Sequence, residues 1–320
     1  MKGLYITSKT QDGGRIKLWF RTEDGRKVSK VVDNFRPYFY VPSKLGVYTS
    51  VFGDLLDRVY SKEPGDIPTM REKYKKHFEA DIPYVRRYLI DMDIHDCVDL
   101  DTMQPTQCPS TLTPKVMYLD IEVEFDNEFP DYKNPVNKVT AVTMYVDGMY
   151  HTFFLNTVDK QAKGKHRLMA NGKEYILNVE VRSFIDEKAM LTEVYKMISE
   201  SDIITGWNVD FDMDYLFARI KKLGIDAPYN GWLSLAMLEG YKEFVRARSY
   251  KLKEVTVEEE LETKEEAYGI EKVDSVNKLV QYNLRDVWRL VMLDKKYDIV
   301  NYFVTLKHVV GVEDFAFQRF

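Results

Sequence analysis

The order of apolar patterns from residue 116 onwards constrains the fold most, because strand-like segments come first and then alternate with helix-like ones. Strand-like apolar runs cover 116–125, 138–146, 149–155, 175–181 and 202–207. Helical spacing of apolar residues covers 187–199, 212–223 and 274–296. Strands that alternate with helices are typical of a sheet covered by helices. The sequence therefore predicts an α/β (α+β) fold with a mixed sheet flanked by helices.

Turn residues predict two further details of this region. Segments 138–146 and 149–155 are joined by Asp147-Gly148, which is a strong hairpin signal. Segment 160–173 is polar and contains two glycines, which predicts an exposed loop or insertion.

The first part of the chain has a different pattern. Strand-like segments separated by turn residues fill the first forty residues, whereas the apolar spacing in 47–60 and 68–80 is closer to helical. Segment 104–114 contains three prolines and is typical of a linker. Because 320 residues exceed the usual size of one domain, we predict a β-rich domain over 1–112 and a second domain over 113–320.

Composition excludes several classes of protein. No apolar run approaches the twenty residues needed to cross a bilayer, and the first ten residues are too polar for a signal peptide. The two cysteines, Cys97 and Cys108, and five scattered histidines support neither a disulfide framework nor a zinc site. The expectation is a cytoplasmic protein with reduced cysteines, in the host cytoplasm if the source is viral.

The net charge of −5 argues against a general polyanion binder, because DNA affinity comes from lysine and arginine. It does not exclude an enzyme that holds divalent cations, since metal-binding acids count as negative until the cations bind.

Two acidic residues interrupt the apolar run 117–123. Asp120 and Glu122 are two positions apart on a predicted strand, so their side chains point to the same face. Two carboxylates about 4 Å apart repel by roughly 4 kcal/mol at an effective dielectric near 20, so such a pair needs a cation. The alternative is an edge strand with a solvated acidic face.

Two further acidic segments occur at predicted helices. Asp210, Asp212 and Asp214 lie where a strand runs into a helix, so they are available to cap the helix or to reach a metal at the strand end. Tyr282 and Asp286 are four positions apart and share one helical face. For either segment in isolation, helix capping or a solvated face is the simpler explanation.

Taken in order, the three segments resemble the Exo I, Exo II and Exo III motifs of family-B DNA polymerases of the phage and archaeal type. The motifs are D-I-E at 120–122, N-x-x-F-D at 208–212 and Y-x-x-x-D at 282–286. Stretches 35–41, 81–91 and 249–252 resemble other parts of the same family. The resemblance implies an RNase H-like exonuclease domain preceded by the family's N-terminal domain. The residues after Asp286 are too few for the polymerase half, which implies a truncated or split polymerase.

The resemblance also implies roles for individual residues. Two Mg²⁺ or Mn²⁺ ions would be held by Asp120, Glu122, Asp212 and Asp286. One ion would lower the pKa of a bound water, and both would stabilise the attacking and leaving oxygens. Tyr282 would orient that water by hydrogen bonding, which places the chain in the tyrosine (DEDDy) class. Asp210 and Asp214 stay open as rival ligands to Asp212.

Three residues are implied to bind substrate. Phe129 resembles an aromatic residue of a phage-type loop that stacks on the terminal bases, and Asn208 and Phe211 would lie near the terminal nucleotide. The alternatives are a loop-anchoring core residue for Phe129 and a turn former for Asn208. The basic side chains of 246–253 either follow the strand's phosphates or form a solvated face.

The predicted function is therefore 3′ to 5′ proofreading cleavage of single-stranded DNA or of a frayed primer 3′ end. A partner chain would supply the polymerase domain if the polymerase is split. Two alternatives stay open: a non-catalytic scaffold that binds nucleic acid or protein and docks a separate polymerase subunit, and a nuclease that acts on RNA.

Overall fold

The computed structural model describes residues 1–124, 130–269 and 275–315. These residues form two compact units. The first contains Met1–Thr113 and Lys307–Glu313, and the second contains Pro114–Leu306 with Asp314 and Phe315. The assignment of domains to 1–112 and 113–320 stays a prediction.

The first unit is built around two antiparallel sheets. Its strands are β1 (Lys2–Gln11), β2 (Arg15–Thr22), β3 (Lys27–Val32), β4 (Tyr38–Pro42), β5 (Tyr48–Thr49), β6 (Leu55–Tyr60) and β7 (Cys97–Asp99). Its helices are α1 (Ile67–Arg71) and α2 (Tyr84–Asp91). The strand orders are β3-β2-β1-β7 and β4-β6-β5. The β-rich N-terminal region is thus confirmed.

Of the two helical segments predicted in the middle of this unit, 47–60 is wrong and 68–80 is helical only as far as Arg71. In 47–60 the chain forms β5 and β6, joined by a tight turn in which Ser50 N–H donates to the Asp54 carbonyl at 2.9 Å. In 68–80 the helix ends at Arg71, and the main chain of Phe78 exchanges hydrogen bonds of 2.9 and 3.0 Å with Tyr40 of β4. Pairing with a distant strand overrides the local apolar spacing in both places.

The prediction of reduced cysteines is also wrong, because Cys97 and Cys108 form a disulfide. It fixes the segment after β7 against the buried side chains of Leu4 and Ile6.

The second unit contains the larger sheet. Its strands are β8 (Val116–Val123), β9 (Val139–Val146), β10 (Met149–Leu155), β11 (Lys160–Ala170), β12 (Lys173–Phe184), β13 (Ile203–Gly206) and β14 (Leu233–Ala236). The helices after β12 are α3 (Glu187–Glu200), α4 (Val209–Lys222), α5 (Met237–Phe244), α6 (Leu252–Glu258), α7 (Lys264–Tyr268), α8 (Val276–Tyr297) and α9 (Ile299–Val310), the last of which runs into the first unit.

The sheet order is β11-β12-β10-β9-β8-β13-β14, with parallel and antiparallel pairs. Helices α3 and α4 pack on one face and α8 on the other. This confirms a mixed sheet flanked by helices, and the hairpin at Asp147-Gly148 is confirmed as well.

The exposed loop predicted for 160–173 is wrong. The segment forms β11 and the start of β12, which are joined at Asn171 and Gly172 with φ of 47° and 72°, as a tight hairpin turn requires. Leu168 and Ala170 are buried against α8, while the lysines of β11 face solvent on an edge strand. The polar composition reflects the edge position rather than a loop.

Among the residues that the structure describes, none of the helices combines the length and the apolar character that crossing a membrane demands.

Candidate metal centre

Asp120 and Glu122 project from the middle of the large sheet. Strand β8 pairs with β9 on one side and β13 on the other, so the edge-strand alternative is wrong. Alternate residues of β8, including Leu119 and Ile121, are buried in the core under α3 and α4. The two carboxylates therefore share the opposite face of the strand, as predicted from their spacing.

Asp212 reaches the same region from the first turn of α4. This helix follows β13, and the N-cap residue is Asn208, so none of the three aspartates occupies the capping position. Asp212 is buried whereas Asp214 is exposed. Gly206 ends β13, where a Cβ would lie 2.7 Å from the Leu119 carbonyl oxygen. The absence of a side chain there lets the start of α4 approach β8.

Helix α8 supplies the remaining side chains. Its apolar face, which includes Leu284, Val287 and Trp288, packs on the sheet. Asp286 is buried and Tyr282 is half-buried, so Asp286 does not belong to a solvated face. The tyrosine and the aspartate lie one turn apart, as the spacing predicted.

The carboxylates converge in space although they are far apart in sequence. Ligand oxygens of Asp120, Glu122 and Asp286 all lie within 4.8 Å of one another. Asp212 is close enough that its charge raises the pKa values of Asp120 and Glu122, after the larger effect of burial. All four predicted acids thus contribute to one electrostatic cluster.

The carboxylates hold protons more tightly than usual, because burial and mutual repulsion disfavour their ionised forms. Burial, and then the charges of Asp286 and Asp212, raise the pKa of Glu122 to about 8. Burial raises the pKa of Asp212 to about 7. Burial and the neighbouring carboxylates raise the pKa of Asp120 well above its usual range.

This donor set fits hard divalent cations. Such ions prefer carboxylate and carbonyl oxygens, and the cluster offers only oxygen ligands. Within the described residues, the buried Oδ1 of Asn283 also has no hydrogen-bond partner, so an oxygen with unused acceptor capacity lies beside the cluster. A cation would remove the repulsion that raises the pKa values.

Two residues beside the cluster were missed. Asn283 donates from Nδ2 to Asp120 Oδ2 at 2.6 Å. Its position next to Tyr282 in the third motif is a sequence signal that could have identified it. Lys253 of α6 lies with Nζ 4.6 Å from the centroid of the Tyr282 ring. Burial raises the pKa values of Glu122 and Asp286, and the Lys253 ammonium opposes this. The sequence assigned Lys253 only to a basic stretch.

The structure gives less support to the three predicted substrate-binding residues than to the four carboxylates. Asn208 is exposed and its side chain makes no capping hydrogen bond. Phe211 is half-buried, and its ring lies 6.2 Å from that of Tyr215. Phe129 lies outside the described residues. Substrate-binding roles for all three stay predictions.

The metal-free protein is expected to lose stability as pH rises from about 5 to about 8. The folded chain has raised carboxylate pKa values and so binds more protons than the unfolded chain in this range, which lowers the free energy of unfolding as pH rises. Melting temperatures in a chelator, compared with those of an Asp120→Asn, Glu122→Gln variant, measure the effect. The variant should show a flatter profile; equal slopes would contradict the prediction.

Comparison with known proteins adds independent information. Residues 75–275 match the family model for "DNA polymerase family B, exonuclease domain". The chain is 30% identical over 256 residues to DNA polymerase 1 of Pyrococcus abyssi and 27% identical over 255 residues to a DNA polymerase of Pyrococcus glycovorans. Each alignment covers 68% of this chain but 29% of the relative. The chain thus spans less than a third of these relatives.

Proposed function

This chain belongs to the exonuclease domains of DNA polymerase family B, and we propose that it removes nucleotides from the 3′ end of DNA. The observation that carries the proposal is the convergence of Asp120, Glu122 and Asp286, with Asp212 beside them, on one face of the sheet. A buried cluster of carboxylates without cations is unfavourable, so its presence supports metal-dependent hydrolysis over a non-catalytic scaffold.

The four carboxylates would hold two divalent cations, Mg²⁺ or Mn²⁺. When bound, such cations activate water and stabilise the charge that develops on the attacking and leaving oxygens of a phosphodiester. The protein's part is to fix the acids: β8 orients Asp120 and Glu122, while α4 and α8 bring Asp212 and Asp286. Asn283 holds one oxygen of Asp120 by a hydrogen bond.

Tyr282 would act as a neutral hydrogen-bond donor, which supports the tyrosine (DEDDy) class. Burial, and then the charges of Asp286, Glu122 and Asp120, raise the pKa of this phenol above its ordinary value. It therefore keeps its proton at neutral pH and can orient a water or a phosphate oxygen without serving as a base. Lys253, beside the ring, adds a positive charge where a phosphate would lie.

The proposed substrate is single-stranded DNA or a frayed primer 3′ end. Unpaired terminal bases are needed because the scissile phosphate must reach carboxylates that are largely buried. Asn208 and Phe211, at the start of α4, would contact the terminal nucleotide, and Phe129 would stack on a base. A partner chain that carries the polymerase domain, if the polymerase is split, and a cytoplasmic location stay proposals from the sequence.

The direct test is digestion of a 5′-labelled single-stranded oligonucleotide with Mg²⁺ or Mn²⁺. A ladder of products shortened from the 3′ end supports the proposal. An intact oligonucleotide at all metal concentrations, with a folded protein, favours the scaffold alternative, and cleavage confined to an RNA oligonucleotide of the same sequence favours the RNA nuclease. Adding chelator should abolish any ladder.

Replacing Tyr282 with phenylalanine is expected to lower kcat by about 10- to 100-fold, the value of one hydrogen bond to a charged group. KM for the oligonucleotide should change little, because the phenyl ring keeps its packing and its contact with Lys253. Steady-state kinetics on the labelled oligonucleotide measure both constants. A variant with an unchanged kcat would show that the hydroxyl takes no part in cleavage.

A further inference from the structure

A fully buried acid lies one layer behind the candidate metal centre. The Glu262 side chain, between α6 and α7, has no solvent exposure. Its Oε2 accepts hydrogen bonds from Arg289 Nε at 2.6 Å and from Thr256 Oγ1 at 2.9 Å. Arg285 Nε also donates to Glu262 Oε1. Three side chains, one from α6 and two from α8, therefore fix this carboxylate.

Arg289 connects that acid to the cluster. Its side chain is 1% exposed, and Nη1 donates to Asp286 Oδ1 while Nε and Nη2 donate to Glu262. Nη2 also donates to the Ala267 carbonyl at 3.3 Å. A guanidinium held on both edges cannot rotate away from Asp286, since each movement would break buried hydrogen bonds.

The charges of this arrangement matter as much as its geometry. An arginine paired with Asp286 alone would act as a permanent counterion and compete with a metal cation for the carboxylate. Glu262 supplies an opposite charge, which Arg289 shares with the more exposed Arg285, so part of the charge of Arg289 is offset on its far side. Asp286 thus keeps a fixed orientation and also keeps attraction for a divalent cation.

We propose that Glu262 and Arg289 are positioning residues that hold Asp286 Oδ1 and so present Oδ2 to a divalent cation. The inference rests on the proposed function, because it assumes that Asp286 is a metal ligand. Groups that orient metal ligands from behind typically change metal affinity by about 10- to 100-fold when they are removed. A purely structural ion pair would change stability without a comparable effect on metal binding.

The test compares two arginines that both bond to Glu262. Arg289→Met removes the donor to Asp286. Arg285→Met is the control, because Arg285 donates to Glu262 and to the Met169 carbonyl rather than to Asp286. Mn²⁺ dissociation constants are measured by electron paramagnetic resonance without DNA. Arg289→Met should bind Mn²⁺ at least about tenfold more weakly than the wild-type chain, and Arg285→Met should stay within about twofold.

A second variant covers the case in which Arg289→Met does not fold. Glu262→Leu, Arg289→Leu removes both members of the buried pair, so neither is left as an unpaired charge, while the partly exposed Arg285 keeps its hydrogen bond to the Met169 carbonyl. It should lose Mn²⁺ affinity like Arg289→Met and show a lower kcat with an unchanged KM for the oligonucleotide.

The outcomes separate this inference from the function. Unchanged Mn²⁺ affinity in the folded variants, with a wild-type chain that cleaves DNA, overturns the positioning role alone. Equal losses in Arg289→Met and Arg285→Met overturn it as well, because only one of them touches Asp286. A wild-type chain that binds no Mn²⁺ overturns the proposed metal centre and this inference together.

Discussion

The double variant Asp120→Ala, Glu122→Ala is expected to lower the rate of 3′-terminal cleavage by about 1,000-fold or more. Both carboxylates project from β8 into the cluster, so the variant removes two of the four proposed metal ligands. Losing one preorganised electrostatic group typically costs about 100- to 1,000-fold in kcat, and here two are lost. The rate is measured by the shortening of a 5′-labelled oligonucleotide in Mg²⁺.

The matched control is Asp214→Ala, which removes an exposed acid of α4 two positions after Asp212. It should retain the wild-type rate within a few-fold. The metal-free double variant should also melt at a higher temperature than the wild type near pH 8, because the repulsion among buried carboxylates is reduced. Cleavage that persists in the double variant would remove these acids from the mechanism.

The largest loss of stability is expected for Arg219→Met, at about 3–5 kcal/mol in the free energy of unfolding. Arg219 of α4 donates from Nε and Nη2 to Glu187 of α3 at 2.8 and 2.7 Å, and both side chains are buried. It also donates to the carbonyls of Pro135 and Val136. With methionine at this position, the buried Glu187 carboxylate would keep only the hydrogen bond from the Val139 N–H among the groups described.

Unfolding in guanidinium chloride measures the loss, and Lys196→Met on the same α3 is the control. Lys196 pairs with Glu193 at 2.6 Å, but its side chain is 63% exposed. Exposed pairs of this kind contribute less than about 1 kcal/mol. Similar losses in the two variants would show that burial does not set the value of the Glu187–Arg219 pair.

Local periodicity predicted most elements of the second unit. The alternation in 116–123, the turn at Asp147-Gly148 and the apolar stripe of α8 report the geometry of single segments, so they require no knowledge of neighbours. The same reasoning failed where pairing decided the structure. Strands β6 and β11 lacked a clear strand pattern, and each forms because a second strand satisfies its main-chain groups.

The candidate site shows the same division. The spacing of Asp120 and Glu122, and of Tyr282 and Asp286, was sufficient to place each pair on one face of its element. Glu262 and Lys253 carried no usable signal, because isolated charged residues in a charged segment are most often solvated. Their importance depends on contacts with α8, namely those of Glu262 with Arg289 and of Lys253 with Tyr282, and such contacts are a property of packing.

The sequence by itself determined which acids stand in the three motifs, the faces they occupy and the class of fold, since these depend on residue order and on the repeat of a strand or helix. Only the tertiary structure decided that residues 120, 122 and 286 meet with Asp212 nearby, that Asn283 and Arg289 hold Asp120 and Asp286, and that Cys97 pairs with Cys108. Contacts between distant segments arise from the packing of helices on the sheet, and no local pattern encodes them.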